Sequence, residues 1–203
     1  MLFFQKNKTA QRAILHNLAK IINLLIERKN KKQSIKTQKV GNNDYFCRSI
    51  FCSMKIVIQR VSEASVSVDG EIISKIDNGM LILLGIEDAD NEEDIDWLCN
   101  KLSKLRIFSD ENDAMNLDIN QIEGSFLVVS QFTLHAMTKK GNRPSFIKAA
   151  RPEKAIPLYE TFLKRLSFIS GRPVQCGKFG AMMEVALVND GPVTIIMDTK
   201  DKI

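Results

Sequence analysis

Two short segments hold the polar groups best placed to do chemistry. The first, Ser130-Gln131-Phe132-Thr133-Leu134, closes the apolar run Phe126-Leu127-Val128-Val129, so a buried strand delivers hydroxyl, amide and main-chain groups to its own C-terminal end. Thr133 has the form of a hydroxyl nucleophile, and a hydroxyl at its ordinary pKa needs an adjacent base. His135 is the only histidine after residue 53, two positions on and so on the same face as Thr133 if the strand continues. It has no obvious carboxylate to orient it, and a polar histidine at the entry of a loop is the plainer reading. Main chain is the other resource: N–H groups near Phe132 and Thr133 can hold a developing oxyanion, a contribution of about 2.7–4 kcal/mol per donor in acyl transfer.

The second segment, Asn189-Asp190-Gly191-Pro192-Val193-Thr194, follows the alternating run Met183-Glu184-Val185-Ala186-Leu187-Val188 and precedes Val193-Thr194-Ile195-Ile196. Proline cannot donate to a β-ladder and glycine has extra backbone entropy to lose. A Gly-Pro inside strand-like sequence therefore belongs at an edge, at a bulge or on a backbone surface that meets a ligand. A structural edge turn is the alternative.

The elements that position these segments read as an α+β order. Strands are expected over 55–61, 64–69, 71–76 and 79–86, with Asp69-Gly70 as a hairpin turn. A helix follows over 91–105. Asn91 can cap it, Glu92, Glu93 and Asp94 suit its positive end, and Ile95, Leu98, Leu102 and Leu105 form a buried stripe. After the strand at 126–130 comes a basic loop, Lys139 to Pro144. A second helix over 153–169 has Ile156, Leu158, Phe162, Leu163 and Leu166 inward and is stopped by Gly171-Arg172-Pro173. Two or more strands close the chain. There is no internal repeat, and neither GxGxxG nor GxxxxGK[ST] occurs.

In this order and spacing the two segments resemble those of the D-aminoacyl-tRNA deacylases, and the resemblance covers Met54 to about Asp198. Supporting blocks stand in the family's order: Ile58-Gln59-Arg60-Val61 with Ala64-Ser65-Val66, the stretch from Gly79 to Gly85, Arg106-Ile107-Phe108-Ser109-Asp110, Met115-Asn116-Leu117, Arg143-Pro144-Ser145-Phe146 and Phe179-Gly180-Ala181. The resemblance implies mainly antiparallel, barrel-like sheets with two helices on one side. It also implies a homodimer in which each Gly191-Pro192 element reaches into the other subunit's pocket. The implied substrate is the acceptor end of aminoacyl-tRNA, and the implied reaction is hydrolysis of the ester between a D-amino acid, or mischarged glycine, and the terminal ribose. Ser130, Gln131, Phe132 and Thr133 become the catalytic segment. Water attacks with help from the substrate's own ribose hydroxyl, and the Gly191 and Pro192 carbonyls exclude an L side chain sterically. Arg60, Phe179, Met183 and Asn189 are carried over as substrate-binding positions. Phe132 and Phe179 can stack on the terminal adenine or serve as core, Met182 and Met183 can line the pocket or fill the core, and Arg60 can brace the Gly-Pro element.

Charge divides the chain unevenly. The formal net charge is +5, but residues 1–53 hold 11 Lys and Arg against two acids, whereas residues 54–203 hold 18 against 22, leaving them at −4. The body's acidity argues against broad nucleic-acid binding, so RNA contact should be confined to the acceptor end. Residues 13–26 are apolar at helical spacing but broken by His16, Asn17, Lys20 and Asn23, too polar for a membrane span or a secretory segment. Glu27 to Asn43 reads as disordered linker. Three readings of 1–53 stand: a basic segment that touches RNA or a membrane surface, an organellar transit peptide, or sequence upstream of a start at Met54, where proteins of the resembled family begin. The expected division is thus 1–53 as a basic extension and 54–203 as the deacylase domain, cytoplasmic unless 1–53 is a transit peptide. Cys99 and Cys176 are far apart without CxxC spacing, so neither a disulfide framework nor a zinc knuckle is indicated. No cofactor or metal is expected. The competing function from another class is a nucleic-acid-binding protein that keeps this fold and recruits DNA or RNA through 1–53; a structural dimer without activity is the third.

Overall fold

The structure is a computed structural model, and it describes residues 53–139 and 141–201. The expectations for residues 1–52 lie outside the described residues. Those described fall within one compact unit, Ser49–Ile203.

The order is β1 (Lys55–Val68), β2 (Glu71–Ile76), β3 (Gly79–Gly85), α1 (Glu92–Ser103), β4 (Phe108–Ser109), β5 (Met115–Leu117), β6 (Ser125–Ser130), a 310 turn (Phe132–His135), α2 (Pro152–Ser170), β7 (Val174–Cys176) and β8 (Glu184–Asp198). The six-stranded sheet runs β2-β1-β3-β6-β7, with β8 paired to β1. It is barrel-like and mixed: β1 is antiparallel to β2, β3 and β8, while β3–β6 and β6–β7 are parallel. The two strands expected at 55–61 and 64–69 are one. Ser62 and Glu63 are exposed and read as a break, but shifts in register against β8 absorb them and the ladder continues. β8 likewise runs through Gly191-Pro192, whose peptide bond is cis. The small hairpin β4–β5 joins the expected strands; Asp110 organises its turn by accepting from the N–H groups of Asn112 and Ala114.

Alternation sorts the sheet's side chains into two cores. Phe126 and Val128 of β6, with Ile56, Ile58, Met80, Ile82 and Leu84, face both helices, where Ile95, Leu98, Leu102, Phe162 and Leu166 complete the packing. Leu127 and Val129 point the other way, onto Val61, Val66, Leu81 and the β8 residues Val185 and Leu187. Each buried Leu or Ile contributes about 1.5–3 kcal/mol.

α1 begins where its cap dictates: the Asn91 side chain accepts from Glu93 N–H, and Asp94 returns a bond to Asn91 N–H. On α2 the buried stripe is Ala155, Tyr159, Phe162 and Leu166. Ile156, expected inward, is 37% exposed, and Tyr159 takes its place with its hydroxyl donating to Val128 O at 2.8 Å. Gly171, at φ 64°, ends the helix in the left-handed region.

Candidate active site

β6 ends at Ser130, and Gln131 N–H bonds to Leu84 O at 2.7 Å before the chain tightens into the 310 turn. The strand therefore does not continue through Thr133, and the expected face-sharing of Thr133 and His135 does not arise. Phe132 and Thr133 open the turn, so their N–H groups have no acceptor within it. The Thr133 hydroxyl accepts from Gln131 Nε2 at 2.6 Å and is half-buried. Phe132 is 55% exposed and lies edge-on to Phe146, ring centroids 5.1 Å apart.

His135 is not a polar loop-entry residue. It is 2% exposed, and its Nδ1 lies 3.0 Å from Glu87 Oε1, in a buried group that also includes Asp90. The carboxylate missing from the sequence reading comes from the far end of β3. Glu87 Oε2 accepts from Ser53 N–H, and Glu87 N–H donates to Asp90 Oδ2. Burial pushes the Asp90 carboxyl up to about 6. Burial opposes the charge on Asp94 as well, but hydrogen bonds from Lys200, Thr199 and Asn91 N–H hold its carboxyl below the usual value. With its imidazole committed to this core, His135 has no geometry for deprotonating Thr133. Gly85 allows the arrangement: a Cβ there would come within 2.9 Å of His135 Nε2.

The Gly-Pro element is braced from β1. Arg60, 7% exposed, donates through Nε to Asp190 O at 3.1 Å and through Nη1 to Ile107 O at 2.7 Å, and its Nε lies 2.9 Å from Asp190 Oδ2. Asn189 spans the element, accepting from Val193 N–H at 2.9 Å and donating to Gln59 Oε1 at 2.8 Å. Gly191 sits at φ 121°, where side chains are rare, and both Gly191 and Pro192 are exposed. Arg60 and Asn189 thus meet at the Gly-Pro element. Phe179 and Met183 do not join them: Phe179 packs edge-on to Tyr159 at 5.7 Å, and Met183 packs into the second core, where a Cβ at Gly177 would come within 2.6 Å of its Sδ. Met182 is 90% exposed.

The two polar segments stand apart within one chain. β8 is separated from β6 by β1 and β3, which makes three inter-strand steps. Arg60 is level with Met80 and Phe126, whereas Ser130 lies four residues further along β6. At about 4.8 Å per strand and 3.3 Å per residue, the path over the sheet is on the order of 20 Å.

Glu87 and the Ile107 carbonyl were missed in the sequence. A carboxylate directly after the buried end of Gly79–Gly85 is a signal that can be read; an accepting carbonyl is not.

The family model described as D-Tyr-tRNA(Tyr) deacylase matches residues 57–198. The chain belongs to that family. Proteins named D-aminoacyl-tRNA deacylase are similar to it throughout this region. Those of Flavobacterium psychrophilum and Bacteroides fragilis are 61% and 63% identical over 149 residues, 73% of this chain and 99% of theirs. That of Akkermansia muciniphila is 59% identical over 150 residues, with the same coverage. Among solved structures, one described as a c-Myc DNA Unwinding Element Binding Protein is 40% identical, with a TM-score of 0.66 over 70% of this chain and 97% of its own. A second, described as a probable eukaryotic D-amino acid tRNA deacylase, is 16% identical with a TM-score of 0.64, covers 72% and 99%, and shares the fold. Among the described residues no helix is long and apolar enough to cross a membrane.

Proposed function

We propose that this member of the deacylase family hydrolyses the ester bond of D-aminoacyl-tRNA and of mischarged glycyl-tRNA, releasing the free amino acid and tRNA. Water attacks the ester carbonyl, the Phe132 and Thr133 N–H groups receive the oxyanion, and the terminal ribose hydroxyl moves the proton. The C–O bond then breaks and the ribose oxygen leaves. The observation that carries this reading is the Thr133 turn itself: it opens with main-chain donors and holds its hydroxyl to Gln131 with no base in contact.

The site is completed by a second subunit. The path over the sheet from one chain's Gly191-Pro192 to its own turn is on the order of 20 Å, and the element, exposed at the surface, acts in the partner's pocket of a homodimer. There its carbonyls meet the amino group and exclude an L side chain, with Arg60 and Asn189 holding them in place. Phe179 and Met183 support the pocket walls from the cores. The protein works in the cytoplasm as a proofreader of translation, and residues 1–53 are dispensable for the reaction. The competing reading, nucleic-acid binding without hydrolysis, draws support from the printed description of the 40% identical structure.

Deacylation of D- and L-tyrosyl-tRNA by the full chain tests the proposal. Release of D-tyrosine with the L ester spared is expected; tRNA binding without release of either would overturn it in favour of the competing reading. The same assay on a chain beginning at Met54 tests dispensability.

A further inference from the structure

The acidic body carries one concentrated exception. Residues 139–151 contain Lys139, Lys140, Arg143, Lys148 and Arg151 and no Asp or Glu, whereas the rest of 54–203 has thirteen basic residues against 22 acidic. Lys139, Arg143, Lys148 and Arg151 are all exposed, and among the described residues none is within ion-pair distance of a carboxylate. Elsewhere Arg60 pairs with Asp190, Lys75 with Glu63, Arg165 with Asp96 and Lys200 with Asp94, and the remaining lysines are scattered among carboxylates in the sequence rather than grouped. Lys154, just beyond the segment, donates to Asp88 O.

This loop also closes on itself beside the Thr133 turn and touches it through one aromatic contact. Met137 and Ser145 exchange both backbone hydrogen bonds, at 2.8 and 3.0 Å, and Ala150 N–H bonds to Ile86 O at 2.8 Å. Between these anchors Phe146 meets Phe132, the residue before Thr133. Ile147, 80% exposed, projects beside Lys148. A merely solvated loop has no need of a ring contact with the Thr133 turn, an apolar side chain held in water, or a run of cations without one counter-charge.

We infer that the 139–151 loop is the docking surface for the phosphate backbone of the tRNA acceptor end. It seats the nucleotides leading to the 3′ terminus so that the ester reaches the Thr133 turn, with Ile147 in contact with a ribose or base face. The inference rests on the proposed deacylase reading for the identity of the polyanion. It adds that affinity for tRNA comes mainly from this loop, while the chemistry near Thr133 is independent of it.

The test uses the full chain with Lys139, Arg143, Lys148 and Arg151 changed to Gln, beside a control with exposed Lys101, Lys104 and Lys164 changed to Gln, both checked for folding by thermal melting. Binding of uncharged tRNA is measured against salt. Each lost phosphate contact lowers the log–log slope by about 0.7–0.9, so the fourfold variant should lose about 2.8–3.6 from the slope and bind at least tenfold more weakly at about 0.1 M salt. The control should match wild type. KM for D-tyrosyl-tRNA should rise with kcat unchanged, and cleavage of D-tyrosyl-adenosine, which lacks the rest of the tRNA, should be unaffected. If the fourfold variant folds poorly, Arg143→Gln alone should lower the slope by about one contact's worth. Wild-type slope and affinity in the variants, an equal loss in the control, or equal binding and equal loss with a DNA duplex would overturn the assignment. Failure of the deacylase reading is separable: wild type would release no tyrosine, while the uncharged-tRNA measurement would still stand.

Discussion

Gly191→Ala tests the bracing of the Gly-Pro element most directly. At φ 121° an alanine occupies backbone space that costs about 1–3 kcal/mol outside glycine. The added Cβ would also lie 2.8 Å from Arg60 Nη2 and 2.9 Å from Val193 Cγ2, closer than real contacts. Arg60 cannot swing aside freely, because Ile107 O and Asp190 O hold it at 2.7 and 3.1 Å, and each such charged hydrogen bond is worth about 1.5–3 kcal/mol. Losing part of one brings the total to about 2–4 kcal/mol, which corresponds to a fall of about 30- to 1,000-fold if it is felt in the transition state. Urea unfolding separates the stability share, and kcat/KM on D-tyrosyl-tRNA, with the L ester in parallel, reads the catalytic share. Because Arg60 is the clashing partner, Arg60→Ala combined with Gly191→Ala should cost about 1 kcal/mol less than the two changes summed. A folded Gly191→Ala protein with kcat/KM within about twofold of wild type would refute the gate geometry, and an additive cycle would refute Arg60 as its brace.

Thr133→Val should keep most of its kcat, whereas a substrate ending in 2′-deoxyadenosine, charged on its 3′ oxygen, should be cleaved far more slowly; a trapped acyl-Thr133 would reverse that assignment. His135→Ala should lower stability by about 2–4 kcal/mol in urea unfolding, since it empties buried space beside Gly85 and strips Glu87 of its imidazole, and should leave the shape of the pH–rate profile intact; a lost acidic limb would make His135 a base after all. Asp90 titrates near 6 when folded against the usual 3.8, so the native state holds its proton more tightly. Its ionisation penalises folding above pH 6, and the penalty, about 3 kcal/mol at most, fades as pH falls from 6 towards 3.8. Wild type should therefore gain stability over Asp90→Asn between pH 7.5 and 5, and parallel urea midpoints across that range would exclude it.

Local chemistry made the caps and turns legible. Asn91 with its three acids started α1, Asp69-Gly70 turned the β1–β2 hairpin, and Gly171-Arg172-Pro173 stopped α2, each through interactions within a few residues. The continuity of β1 was not legible, because the exposed Ser62-Glu63 pair looks the same whether a strand ends or bulges; pairing with β8, more than a hundred residues later, decides it. The parallel pairing of β6 with β3 is hidden for the same reason, since an apolar run such as Phe126–Val129 carries no sign of direction. Within the site, the order of Ser130 to Thr133 and the Gly-Pro pair were plain. The inward turn of His135 onto Glu87 was not: it depends on a carboxylate nearly fifty positions away and on the missing Cβ of Gly85.

The distance between Gly191-Pro192 and the Thr133 turn within one chain has a genetic side. If each pocket is assembled from one chain's turn and another's carbonyls, an altered gene copy encoding a defective Gly-Pro element does not simply contribute nothing. Its product joins normal chains, presents the defect to a normal turn, and disables a site whose own sequence is sound. Chains with a broken turn spoil only their own pocket while lending an intact element to their partner. Either lesion would thus leave one working site in a mixed dimer, and two inactive alleles, one of each kind, would restore part of the activity that neither has alone.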